Sequence, residues 1–290
     1  MRISQLLERA AQIRGGSVAT VDNDRTHTYN EFKTRVQKFA GALQRLGIQS
    51  GERAAILAQN SDRYLEFYYA VPWAGGVFVP VNTRLAIPEF AYWLNDSGSQ
   101  VLLVDDAFAA AGQELKGLVS SLETLIYIGD GATPNGMLSY EEILSAADAV
   151  ADAGRGGDDI AGLFYTGGTT GMPKGVIHRH PSFVNSVQTV LGEYEWPAET
   201  RMLIVAPISH AAGLLVLPVL LKGGMVVMAN GFTPTGFQDT ILEHKITATF
   251  VVPTMIYALL DHPDVVVEKM SSLELIIYGA SPISPSRLEQ

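Results

Sequence analysis

Short apolar runs alternate with helix-length segments along nearly the whole chain, and this alternation constrains the fold more than any other feature. Residues 54–58, 77–81, 101–104, 125–128, 160–165, 202–206, 225–228, 247–252 and 273–278 read as strands. Between them, residues 29–46, 64–70, 88–94, 139–147, 182–191, 212–221, 236–244 and 253–260 carry helical spacing or helix-start signals, and a first helix is expected in MRISQLLERAAQIRGG. In the segment 29–46, Phe32, Val36, Phe39, Ala40, Leu43 and Leu46 recur at steps of three and four, with Thr28 and Glu31 at capping-box spacing and Gly47 beyond the end. Apolar strands separated by helices predict an α/β chain with a mostly parallel sheet covered on both faces. An interruption of the helix is expected at Pro72.

A length of 290 residues fits about two domains. Two breaks are rich in turn formers: GDGATPNG at 129–136 and ADAGRGGDD at 151–159. The second is the better linker, dividing the chain into α/β subdomains at 1–155 and 156–290. Hydrophobic residues at 47% and charged residues at 17% exclude a disordered chain. The absence of cysteine rules out disulfides, thiolate metal sites and a cysteine nucleophile, and it fits a reducing, cytoplasmic compartment. A net charge of −10 disfavours nucleic acid as a partner. The longest apolar stretch, residues 211–221, falls well short of the roughly 20 that span a bilayer, and the N-terminus, with Glu8, does not look like a secretory signal. The composition is compatible with a homodimer without demanding one.

The chemistry concentrates in TGGTTGMPKG, Thr166 to Gly175, directly after the strand at 160–165. Glycines let backbone N–H groups approach an anion closely, threonines add hydroxyl donors, and Lys174 adds a positive charge, so a polyphosphate is the natural guest. The spacing differs from GxxxxGK[ST], because Lys174 lies between Pro173 and Gly175. His178 and His180 stand at alternate positions without a supporting carboxylate cluster and read as the solvated start of the next helix, not as metal ligands.

YTGGTTGMPKGV at 165–176 resembles the signature loop of the acyl-adenylate-forming superfamily, which includes acyl-CoA synthetases, luciferases and adenylation domains. PISH at 207–210 is similar to the family's P-x-x-H element and YGASP at 278–282 to its strand-end segment, while TYNEF at 28–32 and VPVNTRL at 79–85 are similar to its N-terminal landmarks. The resemblance runs along the whole chain. It implies the large N-terminal domain of that fold, with two similar-sized subdomains of mostly parallel sheets flanked by helices. It also implies an ATP-dependent ligase of the acyl-CoA synthetase type: a carboxylate attacks the α-phosphorus of ATP, pyrophosphate leaves, and a thiol, normally coenzyme A, captures the acyl-adenylate.

By the same resemblance, Thr166, Gly167, Gly168, Thr169, Thr170, Gly171 and Lys174 clamp the β and γ phosphates. His210 shapes the acyl site, and Gly279, Ala280, Ser281 and Pro282 line the acyl and adenine pocket. No catalytic residue is certain and no metal ligand lies within this chain, although ATP arrives with Mg²⁺. Amino-acid-activating members of the family carry an aspartate just after the P-x-x-H element, whereas residues 211–221 contain no acidic side chain, so the resemblance argues against an α-amino acid and the apolar run, core first, favours a fatty, alicyclic or aromatic acid. The family's Y-G-x-T-E element, adenylation lysine and small C-terminal domain do not occur within these 290 residues. A fragment or incomplete variant with little or no turnover is therefore expected. The alternatives are a non-catalytic ATP-binding fragment and an acyl-AMP ligase acting with a carrier protein.

Overall fold

The structure, a computed structural model, describes residues 1–166 and 173–290. Helix α1 (Ile3–Arg14) precedes β1 (Val18–Asp22), β2 (Arg25–Thr28) and α2 (Tyr29–Arg45). There follow β3 (Arg53–Leu57), α3 (Asp62–Ala74), β4 (Val77–Pro80), α4 (Ile87–Ser97), β5 (Val101–Val104), α5 (Ala109–Leu118), β6 (Thr124–Tyr127), β7 (Leu138–Ser139) and α6 (Tyr140–Ser145). The remainder comprises β8 (Ile160–Thr166), β9 (Lys174–Arg179), α7 (His180–Glu193), β10 (Arg201–Ile204), α8 (Ala211–Lys222), β11 (Met225–Met228), α9 (Pro234–His244), β12 (Ala248–Val251), α10 (Pro253–Asp261), β13 (Leu275–Tyr278) and α11 (Pro285–Leu288).

These elements form two units. The first, residues 1–8, 30–59 and 63–185, holds a seven-stranded sheet in the order β7-β6-β5-β3-β4-β8-β9, parallel except for β9. β4 and β5 are buried at every position, as expected of strands covered on both faces. Phe90, Trp93 and Leu94 of α4 and Leu115 of α5 share one apolar cluster with Ala55, Val79 and Leu102 of the sheet. Gly162 of β8 lies opposite Phe78 of β4, and a Cβ there would come 2.5 Å from the Phe78 ring. Only glycine fits beside that ring.

The second unit, residues 9–29, 60–62 and 186–290, holds a six-stranded sheet in the order β13-β12-β10-β11-β1-β2, parallel except for β2. Leu203, Val227, Phe237, Ile241 and Val251 form its core on the α9 side. The buried Tyr29 hydroxyl donates to the carbonyl of Gly224 at 2.6 Å, fixing the turn from α8 into β11.

The α/β class holds, whereas the division at 155/156 does not. β8 pairs with β4, so residues 156–185 complete the first sheet, and residues 9–29 and 60–62 belong to the second unit. The segment 151–159 is no free linker. The Ala153 N–H donates to the Trp73 carbonyl at 2.9 Å, and Asp152 pairs with Arg2 at 2.9 Å and accepts from the Ser4 hydroxyl at 2.7 Å. Pro72 stays inside α3, because the helix at this point is held by buried neighbours such as Trp73, whose indole donates to Val150. His178 belongs to β9, and His180 is 1% exposed, its Nδ1 accepting from the Ile3 N–H. His180 does begin α7, as expected, but buried rather than solvated, and His178 lies in an edge strand instead of the helix start. No helix among the described residues is long and apolar enough to cross a membrane.

Candidate functional site

In the first unit, β8 and β9 form an antiparallel hairpin whose ladder closes at Thr166 opposite Lys174. Both residues are exposed, so one hydroxyl and one ammonium stand at the two limbs of the glycine-rich segment. Gly167, Gly168, Thr169, Thr170 and Gly171, expected in the phosphate clamp, lie outside the described residues. Helix α4 grips both limbs. The Tyr165 hydroxyl donates to Asp96 at 2.6 Å, its ring stacks on Trp93 with centroids 4.9 Å apart, and the Tyr92 hydroxyl donates to the Pro173 carbonyl at 3.2 Å. Burial, then the Asp96 carboxylate, pushes the Tyr165 phenol well above its ordinary value, so it stays protonated as a donor. A Cβ at Gly175 would come 3.2 Å from the Tyr165 ring, so the returning limb runs close beside it. These grips sit far from the loop in sequence and carry no motif. Only the helical spacing of residues 88–94 hinted at the element that provides them.

In the second unit, the remaining expected residues share the carboxyl-terminal edge of the parallel sheet, where open α/β sheets present ligand crevices. His210 immediately precedes α8 and is exposed, with no capping bond from its side chain. Its N–H donates to the Pro207 carbonyl at 3.2 Å, closing the turn after β10. Gly213 in the first turn of α8 is forced by that turn, since a Cβ would lie 2.1 Å from the Ile208 carbonyl oxygen. Gly279, half-buried, follows β13, where a Cβ would lie 3.7 Å from the Phe250 ring, and Ala280, Ser281 and Pro282 are exposed. Ala280 adopts a left-handed φ of 72°, which turns the chain sharply at the strand end. β10 and β13 both flank β12, so these two clusters stand two strand spacings apart, roughly 10 Å.

Sequence reasoning missed Asn60, which precedes α3. Its Nδ2 donates to the carbonyls of Ala206 at 3.0 Å and Ala229 at 3.3 Å, and its Oδ1 accepts from the Ile208 N–H at 2.8 Å. No motif marked it. Helix α8 is core first, with Leu215 to Leu220 buried and Leu214 39% exposed, so few of its apolar side chains are free to meet a substrate. Among the described residues no group of three or more His, Asp or Glu side chains is placed to hold a metal ion, and no step is assigned to Mg²⁺.

A glycine-rich segment ending in lysine in the first unit and, in the second, a parallel sheet with sharp turns at its carboxyl edge are features of nucleotide-handling α/β proteins. A model of the AMP-binding enzyme family matches residues 7–290, and the chain belongs to that family. It is 35% identical over 271 residues to a medium/long-chain-fatty-acid–CoA ligase, FadD8, of Mycobacterium tuberculosis, covering 91% of this chain and 47% of that protein. It is 34% identical over 288 residues to a feruloyl-CoA synthase of an Amycolatopsis species, covering 98% of this chain and 54% of that one. Among solved structures, the anthranilate CoA ligase AuaEII in complex with anthranoyl-AMP superposes with a TM-score of 0.92 at 26% identity, over 99% of this chain and 56% of its own. The N-terminal domain of FACL13 from Mycobacterium tuberculosis gives 0.89 at 27% identity, over 99% and 72%. The chain spans about half the length of the curated relatives it matches.

Proposed function

We propose that this protein is the nucleotide- and acid-binding part of an acid–thiol ligase, which uses ATP to turn a carboxylic acid into an acyl-adenylate and then an acyl-CoA. The observation that carries this is the β8–β9 hairpin: its ladder ends at Thr166 and Lys174, α4 holds both limbs, and the segment between has the composition of a polyphosphate cradle. A carboxylate is a poor acyl electrophile, and transfer to AMP makes it a good one. The nucleophile and the triphosphate repel each other, so the protein's task is to neutralise charge and align the attack rather than to supply covalent chemistry. Thr166 and Lys174, with Gly167, Gly168, Thr169, Thr170 and Gly171, hold the departing β and γ phosphates. His210 and residues 279–282 border the acyl and adenine sites. Mg²⁺, when it arrives with ATP, would neutralise phosphate charge. Coenzyme A is the thiol substrate.

Relatives whose names specify fatty, feruloyl and indoleacetyl acids, together with the absence of an acidic residue at 211–221, support an apolar or aromatic acid. A fatty acid–[acyl-carrier-protein] ligase, ScoC of Streptomyces coeruleorubidus, is 30% identical over 285 residues, which keeps a carrier protein as the second acceptor. Cysteine-free composition supports a cytoplasmic setting. The test is calorimetric binding of a non-hydrolysable ATP analogue, followed by acid-dependent pyrophosphate exchange over acids of increasing chain length. The 290-residue polypeptide is expected to bind the analogue and exchange slowly. The same polypeptide fused to the part of FadD8 that it does not cover is expected to form acyl-CoA. Failure to bind the analogue refutes the assignment, and thioester formation only on a carrier protein moves the acceptor.

A further inference from the structure

We infer that Asn60 is a positioning residue of the acyl site, acting through the turn that ends at His210; this rests on the ligase assignment above. The bonding between β10 and β11 ends where the Ala229 N–H donates to the Ile204 carbonyl at 3.0 Å. The carbonyls of Ala206 and Ala229 and the N–H of Ile208 there must find partners elsewhere, and Ala206 and Ile208 are 2% and 1% exposed. A buried backbone group left unpaired costs on the order of 1–3 kcal/mol. One carboxamide supplies what all three need, two N–H donors and one carbonyl acceptor. Aspartate would keep the acceptor and lose both donors, serine would offer one hydroxyl, and alanine nothing. The arrangement ties the ends of two neighbouring strands to the turn Pro207–Ile208–Ser209–His210, so the place of His210 is set by a side chain from a distant part of the chain.

The backbone of Asn60 is secured separately. Two residues on, the buried Asp62 accepts from Arg25 Nε at 3.1 Å, and its N–H donates to Asp22 Oδ2 at 3.1 Å, which anchors the segment to β1 and β2. Removing the carboxamide therefore releases the strand ends while residues 60–62 stay in place.

The test measures binding of two probes, a non-hydrolysable ATP analogue and a decanoyl sulfamoyl-adenosine that mimics the acyl-adenylate, to the 290-residue chain and its Asn60→Ala, Asn60→Asp and His210→Ala variants. Asn60→Ala and Asn60→Asp are expected to weaken the acyl-adenylate mimic about tenfold while changing the ATP analogue less than twofold. In the His210→Ala background, adding Asn60→Ala should cost under twofold more, because both changes act on one turn. Asn60→Asp, nearly isosteric, serves where the alanine variant does not fold. Unchanged binding of the mimic, equal losses for both probes, or full additivity with His210→Ala would each overturn the inference. A wild-type chain that binds neither probe refutes the ligase assignment itself, whereas one that binds the ATP analogue but not the mimic refutes only the acyl site at His210 and, with it, the role of Asn60.

Discussion

The two groups of expected site residues are built by opposite means. At the β8–β9 hairpin, ten consecutive residues contain the glycines, hydroxyls and lysine, and among the described residues the fold adds grips at the two ends, from Tyr92, Trp93 and Asp96. At the carboxyl edge of the second sheet, each residue does little alone. The turn at His210 exists because Gly213 admits the Ile208 carbonyl and Asn60 satisfies the strand ends, while the turn after β13 depends on Ala280 in a left-handed conformation. A contiguous site depends on outside residues only at its ends, whereas a dispersed one depends on them throughout.

If that contrast is right, the largest effect comes from Gly213→Ala. The new Cβ would overlap the Ile208 carbonyl and push α8 off its first turn, costing about 3 kcal/mol in denaturant unfolding and abolishing binding of the acyl-adenylate mimic. Next is Lys174→Ala, which removes the exposed ammonium at the exit of the loop. Losing a charge-assisted contact of about 2 kcal/mol should weaken the ATP analogue roughly 30-fold in calorimetry, with the unfolding midpoint unchanged. Asp96→Asn keeps the shape of the carboxylate that holds Tyr165 but weakens the bond. About 1 kcal/mol, or roughly fivefold in ATP-analogue affinity, is expected, with binding at the second sheet intact. Ala280→Gly relieves the left-handed backbone at the cost of chain entropy and should stabilise by about 0.5 kcal/mol by thermal unfolding; destabilisation would show that the methyl group has a packing role.

The smallest expected effect separates the units by pH. Burial lowers the His180 imidazole below its usual 6.5, so the stability it contributes is complete above that pH and is lost as pH falls through 6.5 towards the folded value. Asp22 behaves in the opposite sense. Burial and the neighbouring Asp62 raise its carboxyl to about 6, so the folded state binds the extra proton and stability falls as pH rises from 3.8 to about 6. His180→Asn should flatten the drop in melting temperature from pH 7 to 5.5, and Asp22→Asn should deepen the drop seen below pH 6. Parallel curves for both variants and the wild type would remove this distinction.

Much of the fold was readable beforehand. The helix at 29–46 and the strands at 101–104 and 225–228 stand within a residue of expectation, because buried strands and amphipathic helices impose spacings that neighbours in sequence must obey. The hairpin of β1 and β2 escaped notice because VATVD and RTHT are short and β2 is largely polar. β9 escaped because KGVIHR pairs on one side only and leaves Val176 and Ile177 exposed, so it lacks the apolar run of a central strand. The break at 151–159 misled by composition. Its glycines and aspartates make local turns, and its attachment to Arg2, Ser4 and Trp73 is invisible in any window of sequence.

Local spacing thus determined the α/β class and most helices and strands, and it singled out the segment from Thr166 to Gly175 as the candidate phosphate site, because periodicity and glycine-rich composition are properties of neighbouring residues. The tertiary structure alone decided that β8 joins β4, that α4 holds Tyr165 and Pro173, that residues 60–62 belong to the second unit, and that His180 is buried. These features depend on pairings between segments distant in the chain, and their energies come from burial and from backbone groups that must find partners where a strand ends.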